Sequence, residues 1–293
     1  MQFEPGLFRH IAACNAYDAA KLVELRADGR VIAWPAPAAA AEIASLDAHF
    51  RAISTGWEFS PGCASTDARS RALEAVAAAL RAKGKLQRAR GELYAVTPEW
   101  GEAAVATLDR SAAVALGIRC FGVHMNGYVW RADGLHLWVS RRAKVKAVAP
   151  GKLDNIVAGG QPAHLSLRDN LIKESGEEAS LSPELAARAV PVGLVRYCFA
   201  NATGLKPDTL FCYDLEVPDD VIPTPGDDES EGFELWPVAR VMRTLAETDD
   251  FKFNVPLVIL DFALRHGILT PETTPEYTAL AAGLRRAFPA PRP

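Results

Sequence analysis

A chain of 293 residues, 49% hydrophobic and 23% charged, has the composition of an ordinary folded protein of about two domains. That excludes a disordered chain, a collagen-like fibre and a disulfide miniprotein. With 32 Lys and Arg against 36 Asp and Glu, the net charge of −4 gives no bulk attraction for nucleic acid or an anionic membrane. No apolar run reaches the ~20 residues that span a bilayer, and the amino end lacks the basic-then-apolar pattern of a signal peptide. Five scattered cysteines without C-x-x-C spacing read as reduced thiols of a cytoplasm.

In chain order, Leu22 to Pro35 is two short apolar runs around Asp28-Gly29, a hairpin signal. Leu73, Val76, Ala77 and Leu80 fall at helical spacing within Thr66 to Lys83, and Gly84 supplies the stop. The run ending in Leu93 to Val96 reads as a strand buried on both faces. Thr97-Pro98 then reads as the N-cap and first position of a helix running to about Leu116. The first part of the chain, 1–118, is therefore expected to be a small α/β domain, with no nucleophile-base pair and no phosphate loop in it.

Near Gly117 the character changes. CFGVHMNGYVW and LHLWVSRRA read as two strands joined by Ala132-Asp133-Gly134. KLDNIVAGG carries another apolar run into a glycine pair, and Ser166 can cap a helix through Ser-x-x-Asp. Strands are expected at AVPVGLVRYCF and DTLFCYDLEV. An acidic, Pro-rich loop follows, then helices from Pro237 to about Leu245 and from Pro256 to Arg265, the latter stopped by Gly267. A tail, 271–293, ending in PAPRP, is expected to fray.

The segment that carries chemistry is GGQPAHLSLRDNLIKESGEEASL, from Gly159 to Leu181. Glu174, Glu177 and Glu178 sit at i, i+3 and i+4 of a helix and project from one face. Carboxylates so stacked repel unless a cation lies among them, and oxygen-only donors suit Mg²⁺ or Mn²⁺. A solvated acidic face is the bland alternative. Gly176 weakens the same helix by about 1 kcal/mol relative to Ala. The basic run Arg141, Arg142, Lys144 and Lys146 ends a strand where it could meet a phosphate, or be a solvated loop. Lys152 is similar, and Glu229 and Glu231 sit in the acidic loop after what reads as the last strand. His124 and His136 read as core or edge residues, and His164 has no evident partner. Trp130, Trp138 and Trp236 read as core. One of them, or Trp34 or Trp57, is a candidate to stack on an aromatic ring.

The segment resembles the Nudix box, G-x5-E-x7-R-E-U-x-E-E-x-G-U. Gly159 takes the first glycine, Glu174, Glu177 and Glu178 the three metal-binding acids, and Leu181 the final apolar position. Leu165, Lys173, Ser175 and Ser180 replace the early Glu, the Arg, the first apolar residue and the late Gly. WVSRRAKVKAVAPGKLDNIVAGG, KESGEEAS, DDESEGFEL and FKFNVPLVILDFALRHG follow the order of one two-domain subfamily, labelled thiamine pyrophosphokinase-related.

The resemblance implies an α/β (α+β) architecture: a Nudix α/β/α sandwich with a mixed sheet over 119–270, preceded by an N-terminal domain that selects substrate or oligomerises. It implies a diphosphatase using Mg²⁺ or Mn²⁺ and acting on thiamine diphosphate or its oxidised analogues to give the monophosphate. Glu174, Glu177, Glu178 and Gly159 would serve the metal. Arg141, Arg142 and Lys173 would serve the phosphates, with Glu229 or Glu231 as an additional acid. The alternatives are a non-catalytic Nudix-fold ligand-binding module and a nucleotide-sugar or dinucleotide diphosphatase. The expected partner is a small-molecule diphosphate, with neither nucleic acid nor membrane, and a homodimer stays open.

Overall fold

The computed structural model describes residues 6–146, 148–226, 228–286 and 288. Helix α1 (Phe8–Ala13) precedes the Asp28-Gly29 hairpin of β1 (Glu24–Ala27) and β2 (Arg30–Ala33), whose turn residues both have positive φ, 51° and 74°. This is the geometry a tight two-residue turn demands. After α2 (Pro37–Ala44), β3 (Phe50–Ile53) and β4 (Gly56–Phe59) complete a sheet of order β2-β1-β4-β3, in which β1 and β4 run parallel. Helix α3 (Thr66–Ala82) lays Leu73, Val76, Ala77 and Leu80 on the core of this unit, and Gly84 ends it at φ 67°.

The helix expected from Thr97 to Leu116 does not form. Thr97 Oγ1 donates to the Glu99 carbonyl at 2.7 Å and Gly101 takes φ 88°, which closes a turn. Residues Ala106–Asp109 instead make a strand, β6, antiparallel to β5 (Leu93–Val96). Alternation of buried Ala106 and Leu108 with Thr107 is the strand period, and only Ala113–Leu116 (α4) is helical. Strand β5 buries Tyr94 and Val96 but leaves Leu93 46% exposed. It is therefore buried on one face, not two.

The second part of the chain builds a seven-stranded mixed sheet from β7 (Cys120–Arg131), β8 (Gly134–Arg142), β9 (Leu153–Asp154), β10 (Val157–Gly160), β11 (Val190–Ala200), β12 (Leu205–Glu216) and β13 (Ser230–Pro237). Its main path is β11-β12-β7-β8-β13, with β12 parallel to β7 and β10 antiparallel to β7. The period of two sorts side chains to two cores. Leu135, Leu137, Leu210 and Cys212 join α7 (Val238–Glu247), α8 (Val255–Arg265) and α1. Met125, Trp138, Tyr213 and Leu215 face α5 (Leu167–Ala179) and α6 (Pro183–Ala186). Helices thus cover both faces of a mixed sheet, an α/β/α sandwich.

Two readings change here. Glu231 is part of strand β13, so the acidic segment precedes the last strand rather than following it. The alternation Phe233, Leu235 against Trp236 packs opposite faces, and this outweighs the turn-forming composition upstream. The tail is also not wholly loose: α9 (Tyr277–Gly283) places Leu280, and Leu284 just beyond it, at 0% exposure in the α8 core. The final PAPRP lies outside the described residues.

Candidate active site

Helix α5 begins where Ser166 accepts the Asp169 N–H (3.1 Å) and donates to its carboxylate (2.6 Å). This cap satisfies an otherwise orphaned donor. Leu171, Ser175 and Ala179, at i, i+4 and i+8, are fully buried, so the acids are left to the helix flank beside β10. A Cβ on Gly159 would overlap the Glu174 side chain, and the Ala158 N–H donates to Glu178 Oε2 at 2.8 Å. Glu177 is half exposed and accepts from Lys173 Nζ at 2.5 Å, while the same ammonium reaches Glu174 at 3.3 Å.

Burial raises the Glu174 carboxyl above its ordinary range, with Glu177 and Glu92 adding to it, and pushes Glu178 up to about 8, with Asp154 and Glu174 adding to it. Clustered carboxylates, two of them buried and one with a glycine moulded against it, fit a hard divalent ion by the chemistry of their donors. Glu174, Glu177, Glu178 and the Gly159 carbonyl would hold it. Among the described residues no three His, Cys, Asp or Glu groups already converge as a ligand set.

Ala158, Gly159 and Gly160 also line a cleft of about 450 Å³, whereas the three glutamates do not. One wall comes from the first part of the chain, with Lys85, Arg90, Arg110 and Tyr94. The other comes from the sandwich, which adds Arg142, Lys146, Lys206 and Lys252, so seven cations face only Asp208 and Glu229. Such a cleft concentrates anionic ligands despite the acidic net charge.

The residues expected to meet phosphate separate on inspection. Arg142 lines the cleft, but its guanidinium is engaged by Asp154 (2.7 Å) and the Val148 carbonyl (2.9 Å). Although burial opposes it, Lys252 and Arg142 hold the Asp154 carboxyl below the usual range. Arg141 lies outside the cleft lining and donates to the Gly151 carbonyl at 3.1 Å. Lys173 stays with the acids of α5. Glu229 lines the cleft paired with Lys146, and Glu231 accepts from the Lys144 N–H at 3.3 Å. His164 is exposed, and Lys152 donates to the Asp249 carbonyl. His124 lines the cleft and bonds Asn155 at 2.9 Å, with burial pushing its pKa down to about 4.

No Trp is among the residues lining this cleft; its aromatic lining is Tyr94, Phe121, Tyr197, Phe199 and Phe253. Sequence reasoning missed these, as it missed Arg110 and Lys206. The available signal was strand alternation: Tyr197 with Phe199, and Lys206 with Asp208, each place chemistry on one sheet face.

A family model described as a domain of unknown function (DUF4743) matches residues 6–120. Nudix hydrolase 24, chloroplastic, of Arabidopsis thaliana is 43% identical over 223 residues, 74% of this chain and 59% of that protein. Nudix hydrolase 20, chloroplastic, of the same plant is 45% identical over 206 residues, 70% of this chain and 55% of that one. The chain thus spans less than two thirds of these relatives. The crystal structure of DR0079 from Deinococcus radiodurans aligns at 18% identity and a TM-score of 0.41, covering 58% of this chain and 96% of that one. With its box residues on a helix against a mixed α/β/α sheet, the chain is similar along some 70% of its length to proteins named as Nudix hydrolases.

Proposed function

We propose that the chain is a divalent-metal-dependent hydrolase of a small-molecule diphosphate, thiamine diphosphate or an oxidised analogue, releasing the monophosphate. This is the activity of the thiamine pyrophosphokinase-related subfamily that its motif order resembles. In this reading 119–270 is the hydrolase domain, 1–118 selects the substrate, and the segment beyond 270 completes the α8 core. The observation that carries the reaction class is the cationic cleft that adjoins the Glu174–Glu178 pair through Gly159. Lys146 and Lys252 would offset the charge of the diphosphate and orient it from the sandwich side, and Arg110 from the opposite wall. When bound, Mg²⁺ or Mn²⁺ would lower the pKa of water and polarise a phosphoryl oxygen. Five free, buried cysteines support a reducing compartment such as the cytoplasm, and no described helix is long and apolar enough to cross a membrane.

A second reading, a module that binds a diphosphate without cleaving it, is favoured by the Lys173 ammonium lying between Glu174 and Glu177. Hydrolysis of the diphosphate linkage with Mg²⁺, read by phosphorus NMR across thiamine diphosphate analogues, nucleoside diphosphate sugars and dinucleotides, separates the two. Binding with no cleavage of any of them would select the module. Calorimetric titration with Mn²⁺ tests the acids: Glu177→Gln or Glu178→Gln should weaken binding at least tenfold in a folded protein. Wild-type affinity in both variants would remove the assignment.

A further inference from the structure

The cleft also carries polar groups that the hydrolysis does not use. Tyr197 on β11 and Asp208 on β12 are register partners, and the Tyr197 hydroxyl donates to Asp208 Oδ2 at 2.7 Å. Lys206 Nζ pairs with that same oxygen at 2.6 Å. The single phenolic proton is thereby spent, so Asn254 must donate to Tyr197 through Nδ2, at 3.3 Å, which fixes the orientation of its amide. Two oxygens are left over. Asp208 Oδ1 and Asn254 Oδ1 accept no hydrogen bond, on residues only 6% and 4% exposed, and both residues line the cleft. A buried acceptor left without a donor costs about 1–3 kcal/mol. Two of them, held by one tyrosine hydroxyl in a cavity wall, are complementary to a donor on a ligand.

The surroundings say what kind of ligand carries that donor. Tyr197 and Phe199 lie 6.1 Å apart at 25°, and Phe253 meets them edge-on at 6.0 and 5.2 Å. All three rings line the cleft. Aromatic walls suit a flat ring, and two acceptors suit the two hydrogens of one amine.

We propose that Asp208 and Asn254 form a recognition subsite for the exocyclic amine of a heteroaromatic ring, seated among Tyr197, Phe199 and Phe253. The inference rests on the reading of the cleft as a diphosphate-ester site. The test uses two ligand pairs that differ by one amine: thiamine diphosphate with its 4′-deamino analogue, and adenosine diphosphate with purine riboside diphosphate. Affinities are measured calorimetrically in EDTA, where metal-dependent turnover is off, with inorganic pyrophosphate as the reference. In the pair whose ring fits, the amine should bind at least tenfold more tightly.

Asp208→Asn is the decisive variant. Its remaining oxygen must still accept from Tyr197 and Lys206, so the new amide nitrogen takes the free position and turns an acceptor into a donor. The preference should then fall to threefold or less. Asn254→Ala provides a second route, because Asn254 makes no side-chain cap to α8, and it too should lower the ratio. Equal affinities within both pairs, or an undiminished preference in both variants, would overturn the subsite while leaving pyrophosphate binding intact. Failure of pyrophosphate and every ester to bind would instead overturn the diphosphate reading beneath it.

Discussion

Gly160 and Tyr94 meet where the two parts of the chain touch. A Cβ on Gly160 would overlap the Tyr94 hydroxyl, and Tyr94 is itself 6% exposed and cannot swing into solvent. Gly160→Ala should therefore cost about 1–3 kcal/mol through overpacking. The cost should shrink when Tyr94→Phe removes the offending oxygen, a coupling that urea unfolding of the double-mutant cycle reads directly. His124 gives a second prediction at this scale. Burial holds its pKa at about 4 in the folded chain, against about 6.5 when unfolded. The unfolded state thus binds the extra proton between these values, and stability is complete above pH 6.5 and lost as pH falls toward 4. The loss is roughly 3 kcal/mol from this group, and His10, also lowered by burial, acts in the same direction. Urea midpoints at pH 7 and 4.5 should lie closer together in His124→Gln than in the parent. An unchanged gap would assign the acid sensitivity elsewhere.

Among the elements, those with a clean local period were readable from the residues. Helix α3 and the strands β7, β8, β11 and β12 show it, as does the Ser166-capped helix α5. The failures have a common cause. Val105 to Asp109 is a short apolar run whose strand state is decided by its pairing with β5 across an irregular loop, and β13 by its pairing with β8, which is distant in sequence. The acids were readable because one helix carries them. The cationic cleft was not, because its residues come from both parts of the chain and meet only after folding. Helix α9 shows the same limit, since its seven residues become helical by packing rather than by propensity. Leu284→Ala should cost about 2–5 kcal/mol, measured as a shift in the urea midpoint at constant slope. A shift within that of an exposed substitution would remove α9 from the core.

At the scale of the whole molecule, the question is why a sandwich carrying its own acids and lysines needs a second wall. The first 118 residues supply Lys85, Arg90 and Arg110 to the cleft, and Arg110 is the one whose charge is felt alongside Glu174. Glu92 holds its guanidinium at 2.8 Å, with the carbon 5.9 Å above the Tyr94 ring, so its position is set before any ligand arrives. Deleting the whole segment would be a poor test. Leu7, Ile11 and Cys14 are packed in the α8 core, and their loss would damage the sandwich itself. Point substitution avoids this. Arg110→Ala should raise KM for the diphosphate at least tenfold, about 1.4 kcal/mol, with kcat changed less, because a preset cation on the far wall binds substrate and transition state alike. Arg110→Lys should recover part of the loss, since it keeps the charge without the fork. An Arg110→Ala protein with parental KM would mean that the first part of the chain closes the cleft without gripping the substrate.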